Sequence, residues 1–228
     1  MALRLLGGAA VWLHSESARR PPLRRRYGDI DFVASSRQRA QVHRLFVALG
    51  YQAESRFNTL NGDRRLLYLD LPNARQVDVF VDQMRMCHVI DLRRRLAVEG
   101  PCVSPADLLL SKLQIYEINQ KDLVDVVALL TDHHVADLDD DAINVGYIAR
   151  LAAREWGLYR TVRLNTERLH AAMPDLEMDT TLAQQRLSDL WRAIEAQPKS
   201  LRWKLRARVG DRLPWYELPE EVRLPYQT

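Results

Sequence analysis

Lysine is nearly absent from this chain. Of 33 basic residues only Lys112, Lys121, Lys199 and Lys204 are lysines. Arginine therefore supplies the background positive charge, and a lysine marks a place where a compact point charge is used. Cysteine is scarcer still, with Cys87 and Cys102 alone. Two cysteines without metal-ligand spacing exclude a zinc ribbon and a disulfide framework, and a reduced, cytoplasmic setting is the expectation. No run approaches the roughly eighteen apolar residues of a membrane span, so no membrane partner is expected. The start, "MALRLLGGAAVWLH", lacks the basic, apolar and small-residue sequence of a signal peptide, and Gly7 and Gly8 interrupt it. It reads as part of the fold. No Gly-Lys-Ser/Thr follows those glycines, which excludes a P-loop. His14, His43, His88 and His170 show no zinc-protease spacing, and Ser15 and Ser17 sit in no nucleophile elbow.

What is present fits a globular protein. With 228 residues, 47% hydrophobic and 28% charged, the chain makes one large domain or two small ones. The net charge of +3 is too small to identify nucleic acid as a partner. Its distribution is more informative, because Arg19, Arg20, Arg24, Arg25 and Arg26 crowd one segment. That segment reads either as a solvated loop or as a basic rim for a phosphate-rich substrate.

Local signals organise the chain. A short strand, a Gly-Gly turn and a short helix occupy 3–14. Pro21 and Pro22 make 17–26 a loop. Residues 29–34 alternate as a strand. A helix capped by Ser35 or Ser36 ends at Gly50. A further strand is expected over 51–57, and two more over 65–71 and 76–82. The stretch 87–98 reads as helical or mixed. Ser104, Pro105 and Asp107 start a helix that carries Lys112, and "QKDLVDVVALLTDHH" gives another. Asp139, Asp140 and Asp141 read as a helix start. Amphipathic segments near 155–171, 179–196 and 198–209 follow. The expectation is α+β: a mixed sheet with flanking helices over 1–100, then an all-helical region over 101–228.

The chemistry-bearing residues lie in the first part. Residues i and i+2 of a strand share a face, so Asp29 and Asp31 project together. Two such carboxylates repel unless a cation lies between them, and Mg²⁺ uses one or two carboxylates plus substrate phosphates. Asp78 sits in another alternating strand, "QVDVFVD", where Val77, Val79 and Val81 take the opposite face. If the strands are neighbours, three aspartates converge, and two metal ions there suit an in-line phosphoryl or nucleotidyl transfer. The Gly7–Gly8 turn lets backbone N–H groups approach a phosphate, though a plain tight turn reads equally well.

Together these elements resemble the DNA polymerase β-type nucleotidyltransferase superfamily. The residues carrying the resemblance are Leu6-Gly7-Gly8, then Asp29-Ile30-Asp31, then Asp78. The twenty-residue spacer exceeds the usual one and is similar to that of the AbiEii toxin-like subgroup and related uncharacterised bacterial proteins. Lys112, and Lys121-Asp122 with Asp125, also match that subgroup, so the likeness covers roughly residues 3–131. Relatives often carry a helix ahead of the turn, which raises the expectation of residues upstream of Met1.

The resemblance implies a nucleotidyltransferase fold. It implies Mg²⁺ as cofactor, held by Asp29, Asp31 and Asp78, with Asp78 as ligand or general base. Gly7 and Gly8 would cradle an NTP, Lys112 would meet its phosphates, and Asp122 would steady a base or a cation. The activity implied is transfer of an NMP from an NTP to a hydroxyl on RNA or protein, with an antitoxin as a partner. The alternatives are a small-molecule, antibiotic-type transferase and a non-catalytic nucleotide-binding module. Outside the resemblance, Trp203, Trp215 and Tyr216 with Lys199, Arg202, Lys204, Arg206 and Arg208 read either as a nucleic-acid grip or as a sealed helical core. His133 and His134 beside Asp132 read as a helix end rather than a metal site.

Overall fold

A computed structural model describes residues 1–98 and 100–218. The last residues of the Trp- and Arg-rich tail lie outside them. The chain runs β1 (Leu3–Leu6), α1 (Gly7–His14), β2 (Asp29–Ala34), α2 (Arg39–Ala48), β3 (Gln52–Ala53), α3 (Ser55–Asn61), β4 (Arg65–Asp70) and β5 (Arg75–Val81). Then come β6 (Gln83–Arg85), β7 (Val89–Asp91), α4 (Pro105–Leu113), α5 (Gln120–Asp132), β8 (Val135–Ala136) and β9 (Ile143–Asn144). Four helices follow: α6 (Val145–Ala152), α7 (Trp156–Ala172), α8 (Thr181–Ala196) and α9 (Leu201–Val209). The protein is α+β, with a mixed five-stranded sheet in the order β1-β2-β5-β4-β3 and flanking helices.

In this sheet β2 and β5 are parallel and the other pairs antiparallel. The period-2 alternation of the strands sorts their side chains onto two faces. Val77, Val79, Val81 and Ala34 pack with Val42 and Phe46 of α2. On the other face Leu6, Val33 and Phe80 join a larger core with α1, α4, α5 and the later helices. Burying all of α4, from Pro105 to Leu113, makes it the central helix of that core. Its start follows the sequence signals, since Ser104 Oγ accepts from the Asp107 N–H at 3.2 Å. The segment before it is anchored to β1: Leu5 N–H donates to Pro101 O at 2.8 Å and Val103 N–H to Leu5 O at 3.0 Å.

The all-helical reading of 101–228 is broken by the short parallel β8–β9 pair, and two further expectations fail. The strand over 51–57 is only Gln52–Ala53, because the Glu54 carboxylate accepts from the Phe57 N–H and caps α3 instead. The aspartates 139–141 do not start a helix. Asp139 is drawn onto Arg95, with Nη2 to Oδ1 at 2.6 Å, and Asp141 takes a positive φ of 49°. Helix α6 begins after Asn144, whose Oδ1 accepts from the Tyr147 N–H at 2.9 Å. No helix among the described residues is long and apolar enough to cross a membrane.

Candidate active site

The sheet register brings the sequence-predicted carboxylates together. Asp31 of β2 is paired with Asp78 of β5, and on its other side with Leu6, the residue before the glycine turn. Adjacent strands lie about 4.8 Å apart, so the two carboxylates are neighbours on one face. Asp29 is exposed at the start of β2.

Each glycine has a steric reason. Gly7 has φ +69°, and a Cβ there would lie 2.1 Å from Asp31 Oδ2. A side chain at Gly7 is therefore excluded twice, by backbone conformation and by the carboxylate against it. A Cβ at Gly8 would meet Arg25 Nη2 at 2.2 Å and the Tyr27 ring at 2.6 Å. The turn is thus roofed by Asp31 on one side and by Arg25 and Tyr27 on the other.

Asp31 keeps a strip of solvent-accessible surface. Protein atoms otherwise surround it, and no described cation pairs with it. Burial first, then the charges of Asp29 and Asp78, push its carboxyl up to about 7, while Lys112 and Arg65 pull the other way. Asp78 is 2% exposed and engaged on both oxygens. Arg65 Nε donates to Oδ1 at 2.6 Å and Gln76 Nε2 to Oδ2 at 2.7 Å. Each oxygen keeps lone-pair capacity for a further partner.

Lys112 is buried, and its ammonium bridges Asp122 Oδ1 at 2.8 Å and Asp125 Oδ2 at 2.9 Å. Burial alone would lower its pKa, but the two carboxylates outweigh that and raise it, so it stays charged. Asp125 in turn takes a bidentate grip from Arg25, Nε at 2.8 Å and Nη2 at 2.6 Å. This chain of Arg25, Asp125, Lys112 and Asp122 ties the arginine loop to α4 and α5. Asp122, which reads from sequence either as steadying a base or cation or as an ion pair with a neighbouring Lys or Arg, forms the ion pair with Lys112.

Arg65, Gln76, Arg25, Asp125 and Tyr27 are the contacts that sequence reasoning missed. The signal for Arg65 was present, since it stands on the strand paired with that of Asp78. The pairing of Arg25 with Asp125 spans 100 residues and leaves no local trace. Arg25 also stacks over Tyr27 with its guanidinium carbon 4.1 Å from the ring centre. Beside them an open cleft of about 620 Å³ is lined by Trp12, Arg24, Arg25, Arg26 and Tyr27. The buried Tyr27 hydroxyl has no hydrogen-bond partner among the described residues.

In the C-terminal helices the aromatics pack on one another. Tyr159 meets Trp191 and Trp203, and Trp215 meets Trp156. Arg206 lies over Trp156 and donates to Gly210 O at 2.7 Å. Trp203 and Trp215 are nonetheless only half-buried, and with Arg202, Arg206 and Tyr216 they line an open cleft of about 730 Å³, so the aromatics pack together without sealing a core. No protein-family model, curated protein or solved structure matches this chain.

Proposed function

We propose that the protein is a Mg²⁺-dependent nucleotidyltransferase of the DNA polymerase β type, moving an NMP from an NTP to a hydroxyl on RNA or protein. One observation carries the reading: Asp31 and Asp78 share a row of the sheet, with Asp29 one pleat away and a glycine turn pressed against Asp31. The donor set fits the ion. It is all oxygen, and burial first, then the charges of Asp29 and Asp78, push the Asp31 carboxyl up to about 7, a shift that a bound cation would offset. Asp29, Asp31 and Asp78 would hold the metal, which supplies charge neutralisation to the reacting phosphate.

The chain's own residues do the rest. Arg65 and Gln76 fix the Asp78 carboxylate in orientation, which suits a ligand better than a general base. The backbone N–H groups at the start of α1 and the cationic rim of Arg24, Arg25 and Arg26 attract the triphosphate. Trp12 and Tyr27 offer flat apolar surface beside it. Lys112 braces α5 and contributes positive charge near Asp31 rather than meeting phosphate directly. In the reaction the acceptor oxygen bonds to the α-phosphorus, the bond to the β-phosphate oxygen breaks, and the hydroxyl proton passes to an oxygen base as pyrophosphate leaves.

The full pairing of Lys112 favours one other reading, a nucleotide-binding module of the same fold without transfer. Incubation with labelled NTPs, Mg²⁺, total RNA, the protein itself and cell extract separates them. Label transfer lost in Asp31→Ala supports the enzyme. Nucleotide binding without transfer supports the module. Absence of nucleotide binding by calorimetry, with and without Mg²⁺, overturns both.

A further inference from the structure

Helix α1 begins at the glycine turn and ends, seven residues later, at His14. At a rise of 1.5 Å per residue that end lies about 10 Å from the aspartate trio. There His14 meets His133, the residue closing α5, and Asp141 of the loop between β8 and β9. Ligating atoms of the three residues all lie within 4.8 Å of one another. The Asp141 Oδ1 is 3.6 Å from His14 Nδ1 and 3.5 Å from His133 Nδ1. Ligands of a tetrahedral ion with bonds of about 2.05 Å stand about 3.3 Å apart. The carboxylate is therefore close to coordinating distance from both rings before any ion binds.

The surroundings suit coordination. His14 Nε2 is 3.1 Å from Val103 O. A carbonyl only accepts, so Nε2 carries the proton and Nδ1 presents its lone pair toward Asp141. A second-sphere carbonyl holding the far N–H is the usual support of a ligating histidine. His133 is 3% exposed, and its Nε2 is buried without a hydrogen-bond partner among the described residues. Its Nδ1 lies 3.0 Å from Asp141 O. The Asp141 side chain is 78% exposed, which leaves the fourth side open to water.

We propose that His14, His133 and Asp141 form a binding site for a borderline-soft divalent transition ion, Zn²⁺ by preference, separate from the aspartate trio. Two imidazoles and one carboxylate with an open position select Zn²⁺, Co²⁺ or Ni²⁺ over Mg²⁺. Binding at His133 Nδ1 breaks its hydrogen bond to Asp141 O and moves the proton to Nε2, which has no acceptor among the described residues, a cost that the metal–ligand bonds must outweigh. The ion staples the ends of α1 and α5, the two helices whose other ends carry Gly7–Gly8 and Asp122.

The test uses the full chain stripped with EDTA and titrated with Zn²⁺ in excess Mg²⁺, followed by calorimetry and by the visible spectrum of Co²⁺. One equivalent is expected to bind, with a tetrahedral Co²⁺ spectrum and a raised melting temperature. His14→Gln and Asp141→Asn should each weaken binding at least about tenfold. Asparagine tolerates the positive φ at 141, so that variant keeps the loop. Asp31→Asn should leave Zn²⁺ binding unchanged, which separates this site from the proposed catalytic one. Absence of saturable uptake, or uptake that survives both His14→Gln and Asp141→Asn, overturns the proposal.

Discussion

Two of the charge clusters, one at the start of the central helix α4 and one on the sheet face, are built on opposite terms. At its start, Arg95 is saturated. It bonds Asp107 at 2.9 Å and 3.0 Å, Asp139 at 2.6 Å and 2.7 Å and Ser104 at 2.7 Å, and lies 4.1 Å from the centre of the Tyr147 ring. Burial works against its charge, and the bonds from Asp139 with the charge of Asp107 outweigh that and raise its pKa. On the sheet face, Asp29, Asp31 and Asp78 have, among the described residues, one direct ion pair, from Arg65 to Asp78. The difference teaches where to look for chemistry. A matched cluster is structural, and an unmatched one waits for a cation or a substrate.

The contrast can be broken deliberately. The largest effect belongs to Asp31→Ala, expected to lower the proposed nucleotidyl transfer by about 10³-fold or more while the protein stays folded. Transfer within tenfold of wild type would remove Asp31 from the site. Arg95→Met should do the reverse. It leaves Asp107, 2% exposed, without its cation and destabilises by about 3–5 kcal/mol in denaturant titration, with activity per folded molecule kept. An unchanged unfolding midpoint would show that the pair contributes no net stability. Arg65→Gln, which frees Asp78 Oδ1, should cost about 10- to 100-fold in transfer, the size expected for a residue that orients a ligand. If it costs nothing, Asp78 needs no orienting partner.

The smallest effect is one of pH. The Asp31 carboxyl is raised from 3.8 to about 7 in the folded state. The fold therefore favours its neutral form, and stability is fully present below the unfolded pKa and is lost as pH rises through about 7. In EDTA, Asp31→Asn should melt higher than wild type at about pH 8, and the gap should shrink toward about pH 5. Parallel melting profiles would mean that Asp31 is not desolvated.

Much of this was legible in the sequence because it is local. Alternation in "DIDFVA" and "QVDVFVD" fixed which face each aspartate takes, and Ser104 and Gly50 fixed helix ends. The pairing of β2 with β5 needed only that two such strands be neighbours. What stayed hidden depends on contacts far apart in the chain. Lys112 was singled out by rarity, yet its partners Asp122 and Asp125 lie on the next helix, and Arg25 reaches Asp125 from a loop whose proline content says only that it is irregular. The aspartates 139–141 misled for the same reason, because Arg95 captures Asp139 from 44 residues away. His14 reads as unremarkable on spacing and His133 as a helix end, and neither local signal carries information about the two helix ends that meet.

The strap of residues 101–103 along β1 has a consequence beyond placing α4. A sheet's outer strand offers unpaired N–H and C=O groups to any passing chain. Here Leu5 gives its N–H to Pro101 and its carbonyl to Val103, so that margin is closed from within. The opposite margin, β3, is two residues long and too short to template growth. Growth of the five-stranded sheet into a second molecule is hindered at each margin, by a strap on one side and by shortness on the other.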